Sequence, residues 1–305
     1  MSPGHISVLQ SEVLEILTPS AGDCVLDCTL GLGGHAAAFL GATGPDGRLT
    51  GLDADTGNLR EAEKRLGMFS GRVTLHQMNF RDAQSVITTP VDIVFADLGL
   101  SSPHLDDPGR GFTFRASAPL DMRYDRSSGL SAAELILSST EDHLTGIFRD
   151  YGELQRSRIL AQALHVHFHA ETRPVDQWLT DDVVTCVEKV FTWRAPRVLP
   201  QVFQALRIAV NDEVGALQSL INCLGQIVRP GGRVGIISYH SLEDRLVKQT
   251  FRAWSTPVLD QTTGQIATPA PWELLTRKAV TPSDKELADN PRSRSAKFRA
   301  IRRIS

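Results

Sequence analysis

Short apolar runs alternate with amphipathic stretches through the first hundred residues, and this alternation predicts a parallel sheet covered by helices on both faces. Strands are expected over 24–29, 48–53, 72–76 and 91–97. The last is almost continuously hydrophobic, as suits a central strand buried on both sides. A glycine cluster and an alanine-rich helix from His35 follow the first strand, and a helix over 58–66 follows the second. From Pro103 to about Pro200 the strand pattern stops, and helical spacing at 132–137, 144–151, 159–167 and 183–191 predicts an inserted helical domain. The strand and helix rhythm resumes at 201–228, where Val202, Leu206, Val210, Val214, Leu217, Ile221, Leu224 and Val228 recur every three or four residues. Pro230-Gly-Gly232 is expected to end that helix, 232–238 to form a buried strand, and 272–280 and 295–304 to supply two more. The fold class is therefore α/β, with a discontinuous sheet domain at 1–104 and 200–305 and an all-helical insertion at 105–199.

Composition narrows this picture. With 305 residues, 41% hydrophobic and 22% charged, the chain is neither disordered nor fibrous. No apolar stretch reaches membrane-spanning length, and Met1 to Gln10, carrying His5 and Gln10, lacks the build of a secretory signal. A cytoplasmic protein with no membrane partner is expected. Cys24, Cys28, Cys186 and Cys223 are too few and too scattered for a disulfide framework or a structural zinc site, and packing is their expected role. A net charge of -3 speaks against gripping nucleic acid by bulk electrostatics. Yet 291–305 holds Arg292, Arg294, Lys297, Arg299, Arg302 and Arg303 with no acid. That segment reads either as a solubilising terminus or charged edge strand, or as a nucleic-acid contact.

Strand, then Gly31-Leu-Gly-Gly34, then helix is a turn suited to a nucleotide cofactor, because glycines let a ligand approach amides at a helix start. The spacing of Gly31, Gly33 and Ala36, with Asp53 some twenty residues on, also permits a dinucleotide. Electrostatics favours S-adenosylmethionine: Asp27 at the tip of the first strand would repel a pyrophosphate and attract an ammonium and a sulfonium. Asp53 would take ribose hydroxyls; a helix cap is its structural alternative. Asp97 ends the fourth strand, where ligands bind in open α/β sheets, or it accepts amides from the turn 99–102. Ser238-Tyr-His-Ser-Leu-Glu-Asp244 holds Ser, His and Asp, but the adjacent His240 and Ser241 cannot readily face one another, and no nucleophile elbow is present. Ser241 and Asp244 instead resemble a capping box. His165, His167 and His169 alternate without a third ligand type, so no metal is expected.

Several motifs together carry a more specific resemblance. They are Gly31-x-Gly-Gly-His35, Asp97-Leu-Gly-Leu-Ser-Ser-Pro-His-Leu-Asp-Asp107, Arg110-Gly-Phe-Thr-Phe-Arg115, Pro119-Leu-Asp-Met-Arg123, Tyr151-Gly-Glu153, the run 203–211, Ser238-Tyr-His-Ser-Leu-Glu-Asp-Arg245 and the run 290–297. The chain resembles the MraW-type methyltransferases over almost its whole length. The resemblance implies a Rossmann-like S-adenosylmethionine-dependent fold with an inserted helical substrate-recognition domain. It implies methylation of N4 of a decoding-region cytidine in 16S rRNA, with the RNA or the small ribosomal subunit as partner. It further implies cofactor contacts from Gly33, Gly34, His35, Asp53, Phe80, Asp97 and His104. The family usually has glutamine at the position of His104, a second acid at that of Leu154, and a His-Pro-Ala-x-Arg segment where this chain has Arg197-Val-Leu-Pro-Gln201. Asp97 is the candidate catalytic residue, hydrogen-bonding the target amine, with Phe112, Phe114 and Tyr239 as candidate stacking partners of the base. A homodimer is a candidate assembly. The alternatives are a NAD-dependent oxidoreductase and a non-catalytic ribosome-assembly factor.

Overall fold

The computed structural model describes residues 7–170 and 172–305; His5 lies outside them. In chain order the elements begin with α1 (Gln10–Leu17), β1 (Cys24–Asp27), α2 (Gly34–Ala42), β2 (Arg48–Asp53), α3 (Thr56–Leu66), β3 (Val73–Gln77) and β4 (Val91–Asp97). Six helices follow: α4 (Ser102–Asp106), α5 (Ala132–Ser138), α6 (Glu141–Asp150), α7 (Ser157–His169), α8 (Thr180–Phe191) and α9 (Ala195–Asn211). The chain continues through α10 (Glu213–Ile227), β5 (Val228–Ser238), α11 (Ser241–Trp254), β6 (Val258–Leu259), β7 (Ile266–Thr268), β8 (Trp272–Leu274), α12 (Asp284–Asp289) and β9 (Lys297–Arg303). Contacts divide it into two compact units, Met1–Gly99 with Gly215–Ser305, and Leu100–Val214.

The first unit is a seven-stranded sheet of order β3-β2-β1-β4-β5-β9-β8, while β6 and β7 form a small separate hairpin. Strands β1 to β5 pair in parallel; β9 runs antiparallel to β5, and β8 antiparallel to β9. Side chains alternate between two apolar layers, as the two-residue period of a strand requires. Val94 and Ala96 face a layer with Leu217, Leu220, Ile221 and Leu224 of α10 and Phe251 of α11. Ile93 and Phe95 face another with Val13 and Leu17 of α1, Phe39 and Leu40 of α2, and Leu66 of α3. The strand order reverses between β1 and β4, the place where open α/β sheets open a crevice at the strand ends. The architecture is Rossmann-like.

The second unit is helical and has its own core, including Phe148, Leu160, Leu164, Phe168, Trp178, Val187 and Leu206. With no strand among its described residues, it is closed by a polar network that includes residues of the quoted motifs. Asp121 takes Arg123 through Nε at 2.7 Å and Arg126 through Nε at 3.1 Å. Arg110 donates to the carbonyls of Arg123 and Tyr124, each at 3.0 Å. The Asn211 side chain accepts from the Tyr124 amide at 2.8 Å and donates to the Met122 carbonyl at 2.8 Å. Leu154, the departure beside Glu153, is buried in the core.

Three expectations are corrected here. The helix expected over 201–228 is two helices, α9 and α10, because Asp212 adopts a left-handed conformation at φ 46° and caps the first. The last strand is internal: β9 lies between β5 and β8, and its charges are largely spent within the unit. Arg299 meets Asp244 at 2.7 Å, Arg302 meets Glu273, and Arg303 donates to the Gly225 and Val228 carbonyls. The expected capping box at Ser241 is replaced by a different arrangement. Asp244 pairs with Arg299 and Lys297, and the Glu243 carboxylate accepts the Tyr239 amide at 2.9 Å.

Candidate active site

The site is built from the carboxyl ends of β1, β2 and β4 and the turn after β1. Gly31 (φ 52°) and Gly33 (φ 74°) hold left-handed conformations, and Gly33 immediately precedes α2. A Cβ on Gly33 would also press on Ala62 and Leu66 of α3 at 3.4 Å, so glycine here serves both the turn and the packing of two helices. Gly34 and His35 open α2, placing the first amides of the helix at the turn.

Asp53 ends β2 and is not a helix cap; Asp55 has that role, accepting the Gly57 and Asn58 amides at the start of α3. Asp53 instead accepts the Gly31 amide at 2.8 Å through Oδ2 and the Asp55 amide at 2.8 Å through Oδ1. It thereby ties the glycine turn to the end of the neighbouring strand. Phe80 follows β3 and is half-buried, with Asn79 accepting the Arg81 amide beside it.

Asp97 ends β4, its amide donating to Thr29 Oγ1 at 2.6 Å. Its Oδ1 accepts the Tyr239 hydroxyl at 2.7 Å, and its Oδ2 lies 3.7 Å from His35 Nε2. Tyr239 packs over Gly99 (φ 100°), where a Cβ would lie 3.3 Å from the ring. Burial pushes Asp97 up to about 7, against the Tyr239 hydrogen bond and with Glu243 and Glu286 adding to the rise. Asp27 is raised to about 7 by the same cause, opposed by the Thr29 amide and reinforced by Asp97 and Asp53.

Asp27 is 1% exposed, and among the described residues its Oδ2 has no hydrogen-bond partner. A buried carboxylate oxygen left unmatched is costly, and a cationic ligand would relieve it. Three carboxylates at adjacent strand ends suit the ammonium and sulfonium of S-adenosylmethionine and oppose a pyrophosphate. The residues present therefore fit the methyl donor.

The remaining sequence-predicted residues lie in the helical unit. His104, on α4, is buried, with Ser101 Oγ 3.0 Å from its Nδ1, and its ring stacks with Tyr124 at 5.2 Å and lies 5.3 Å from Phe112. Phe114 meets the edge of Phe203. The sequence marks Tyr239 only as a candidate stacking aromatic and Thr29 only as the end of the first expected strand. The signal for both is position: each follows a buried strand at the end where Asp97 stands.

The profile of the MraW methylase family matches residues 2–304. Among curated relatives, the ribosomal RNA small subunit methyltransferase H of Syntrophotalea carbinolica is 41% identical over 307 residues, covering 98% of each chain. The protein of that name from Symbiobacterium thermophilum is 41% identical, covering 97% of this chain and 96% of its own. That of Thermomicrobium roseum is 40% identical, covering 100% and 95%. Fold and site define a Rossmann-like methyltransferase that uses S-adenosyl-L-methionine. The chain belongs to the MraW methylase family.

Proposed function

We propose that this enzyme methylates 16S rRNA of the small ribosomal subunit, at N4 of a cytidine in the decoding region. The names of its relatives support the RNA class, and the observation that carries the chemistry is Asp97, a half-buried carboxylate anchored at one oxygen by Tyr239. The methyl donor supplies an electrophilic methyl on a sulfonium. Gly33, Gly34, His35, Asp53 and Phe80 would hold it, with Asp27 answering its ammonium.

The exocyclic amine of cytosine is a poor nucleophile, because its lone pair is delocalised into the ring; alignment supplies much of the acceleration. Asp97 accepts a hydrogen bond from that amine and takes its proton as the N–C bond forms. A carboxyl raised to about 7 is matched to this task near neutral pH, being a stronger base than an ordinary carboxylate. The base is presented unstacked, as chemistry on an exocyclic group requires.

The test is transfer of labelled methyl into small-subunit particles and into naked 16S rRNA, with the product nucleoside identified. N4-methylated cytidine is expected. Labelled methyl on another base, or none in either substrate, would overturn the assignment.

A further inference from the structure

One cluster of charge in the sheet unit takes no part in the site above. Lys248 and Arg252 of α11, Arg277 just after β8, and Arg299 of β9 line a cleft of about 200 Å³, with Phe251 and Leu274 as its apolar wall. Arg299 is answered by Asp244 at 2.7 Å. Among the described residues, the side chains of Lys248, Arg252 and Arg277 make no ion pair or hydrogen bond, and all three are exposed. Lys248 and Arg252 stand one turn apart on the same helix face, a spacing at which like charges repel. Three unanswered cations therefore converge on one concavity in a chain whose net charge is -3.

We propose that this cleft binds the phosphate backbone of the RNA substrate, outside the reacting nucleotide. The inference rests on the RNA reading of the function. Guanidinium forks match phosphate oxygens in pairs, and an anion entering the cleft would replace the mutual repulsion of Lys248 and Arg252 with attraction. Position supports the assignment. Helix α11 begins three residues after β5 ends, directly after Tyr239 and His240, and Lys248 lies about 10 Å further along it at 1.5 Å per residue. Arg299 on β9 and Leu274 on β8 lie two and three strands from β4 in the sheet, so the cleft stands apart from Asp97, where it can take a flanking phosphate rather than the target base.

The experiment compares the wild type with Lys248→Gln/Arg252→Gln/Arg277→Gln, leaving Arg299 to its partner Asp244. A 16S rRNA fragment that the wild type methylates is titrated across a salt series. Each lost phosphate contact should flatten the log-affinity against log-salt slope by about 0.7 for a single strand, and affinity at moderate salt should fall roughly tenfold or more. Cofactor affinity and melting temperature should stay at wild-type values. An unchanged slope and affinity in the variant, with wild-type methylation intact, would sink the cleft and leave the function standing. Failure of the wild type to methylate or bind the RNA would sink the function, and the cleft with it. A fall in RNA affinity matched by an equal fall in cofactor affinity or stability would mark damage to the unit and also count against the cleft.

Discussion

In the helical unit, Asp121 receives Arg123 and Arg126, and Asp182 is met by His167 at 3.0 Å and Arg173 at 3.2 Å. In the sheet unit, Asp27 stands buried and Asp97 half-buried at neighbouring strand ends, and among the described residues neither is paired with an arginine or lysine. The outcome differs in sign. Burial works to raise Asp121, but the hydrogen bonds and charges of Arg123 and Arg126 outweigh it and hold the carboxyl below its usual range. Burial also works on Asp182, where the Leu179 amide, His167 and Arg173 prevail. At Asp27 and Asp97 burial prevails. Carboxylates answered inside their own unit are structural, whereas on the proposed function those left short of a cation are where a cationic ligand or a proton is received.

The largest expected effect falls on Asp97. Asp97→Asn keeps the shape and loses the base, so turnover at saturating cofactor should fall about 10²- to 10⁴-fold, while cofactor affinity changes far less. Single-turnover rates equal to wild type would remove Asp97 from the chemistry. Next comes Asp53→Ala, expected to weaken cofactor binding by about 1.5 to 3 kcal/mol in calorimetry, the range for hydrogen bonds to a charged group. Its neighbour is the control. Asp55→Ala removes the cap of α3 and should cost about 1 kcal/mol of stability in chemical denaturation, with little effect on affinity. If the two variants exchanged behaviour, the division between binding and structural carboxylates would be wrong.

In the helical unit, Arg123→Ala leaves Asp121 with the Arg126 guanidinium and the backbone amide of residue 123, and should destabilise by about 1 to 3 kcal/mol without touching cofactor affinity. Most diagnostic is the response to pH. Asp121 and Asp182 have folded pKa values below the ordinary 3.8, so their stabilisation is complete above that value and is lost as pH falls through the folded values. Asp27 and Asp97 have folded values of about 7, above 3.8. Their protonated forms favour the fold, and that contribution is lost as pH rises from about 4 to about 7. Removing both carboxylates, as Asp27→Asn/Asp97→Asn, should therefore flatten the decline in stability between pH 4 and 7. A decline of wild-type steepness in that variant would place its origin elsewhere.

Much of this was legible in the sequence, for identifiable reasons. The 91–97 run could be read because a strand buried on both faces is hydrophobic at nearly every position, and β4 is buried through Ala96. The glycine turn could be read because Gly31 and Gly33 occupy conformations that other residues resist. The break at Asp212 could not, since apolar spacing continues across it; the turn depends on contacts that Asn211 makes with residues far away in the chain. Likewise Ser241 and Asp244 have the spacing of a cap, but Asp244 is claimed by Arg299, more than fifty residues on. Local pattern finds elements; long-range pairing decides which of two local options wins.

The placement of β9 inside the sheet bears on how the protein is made. Ser238, the last residue of β5, and Lys297, the first of β9, pair across 59 positions of chain. During synthesis at about 5 to 20 residues per second, β5 would emerge several seconds before the strand that covers it. Through that interval its open side is a row of unanswered amides and carbonyls beside Ile236 and Ile237, a template for pairing with another nascent chain. The sheet thus has a built-in waiting time, and crowding on a polysome, rather than the stability of the finished fold, would govern how much of the protein survives it.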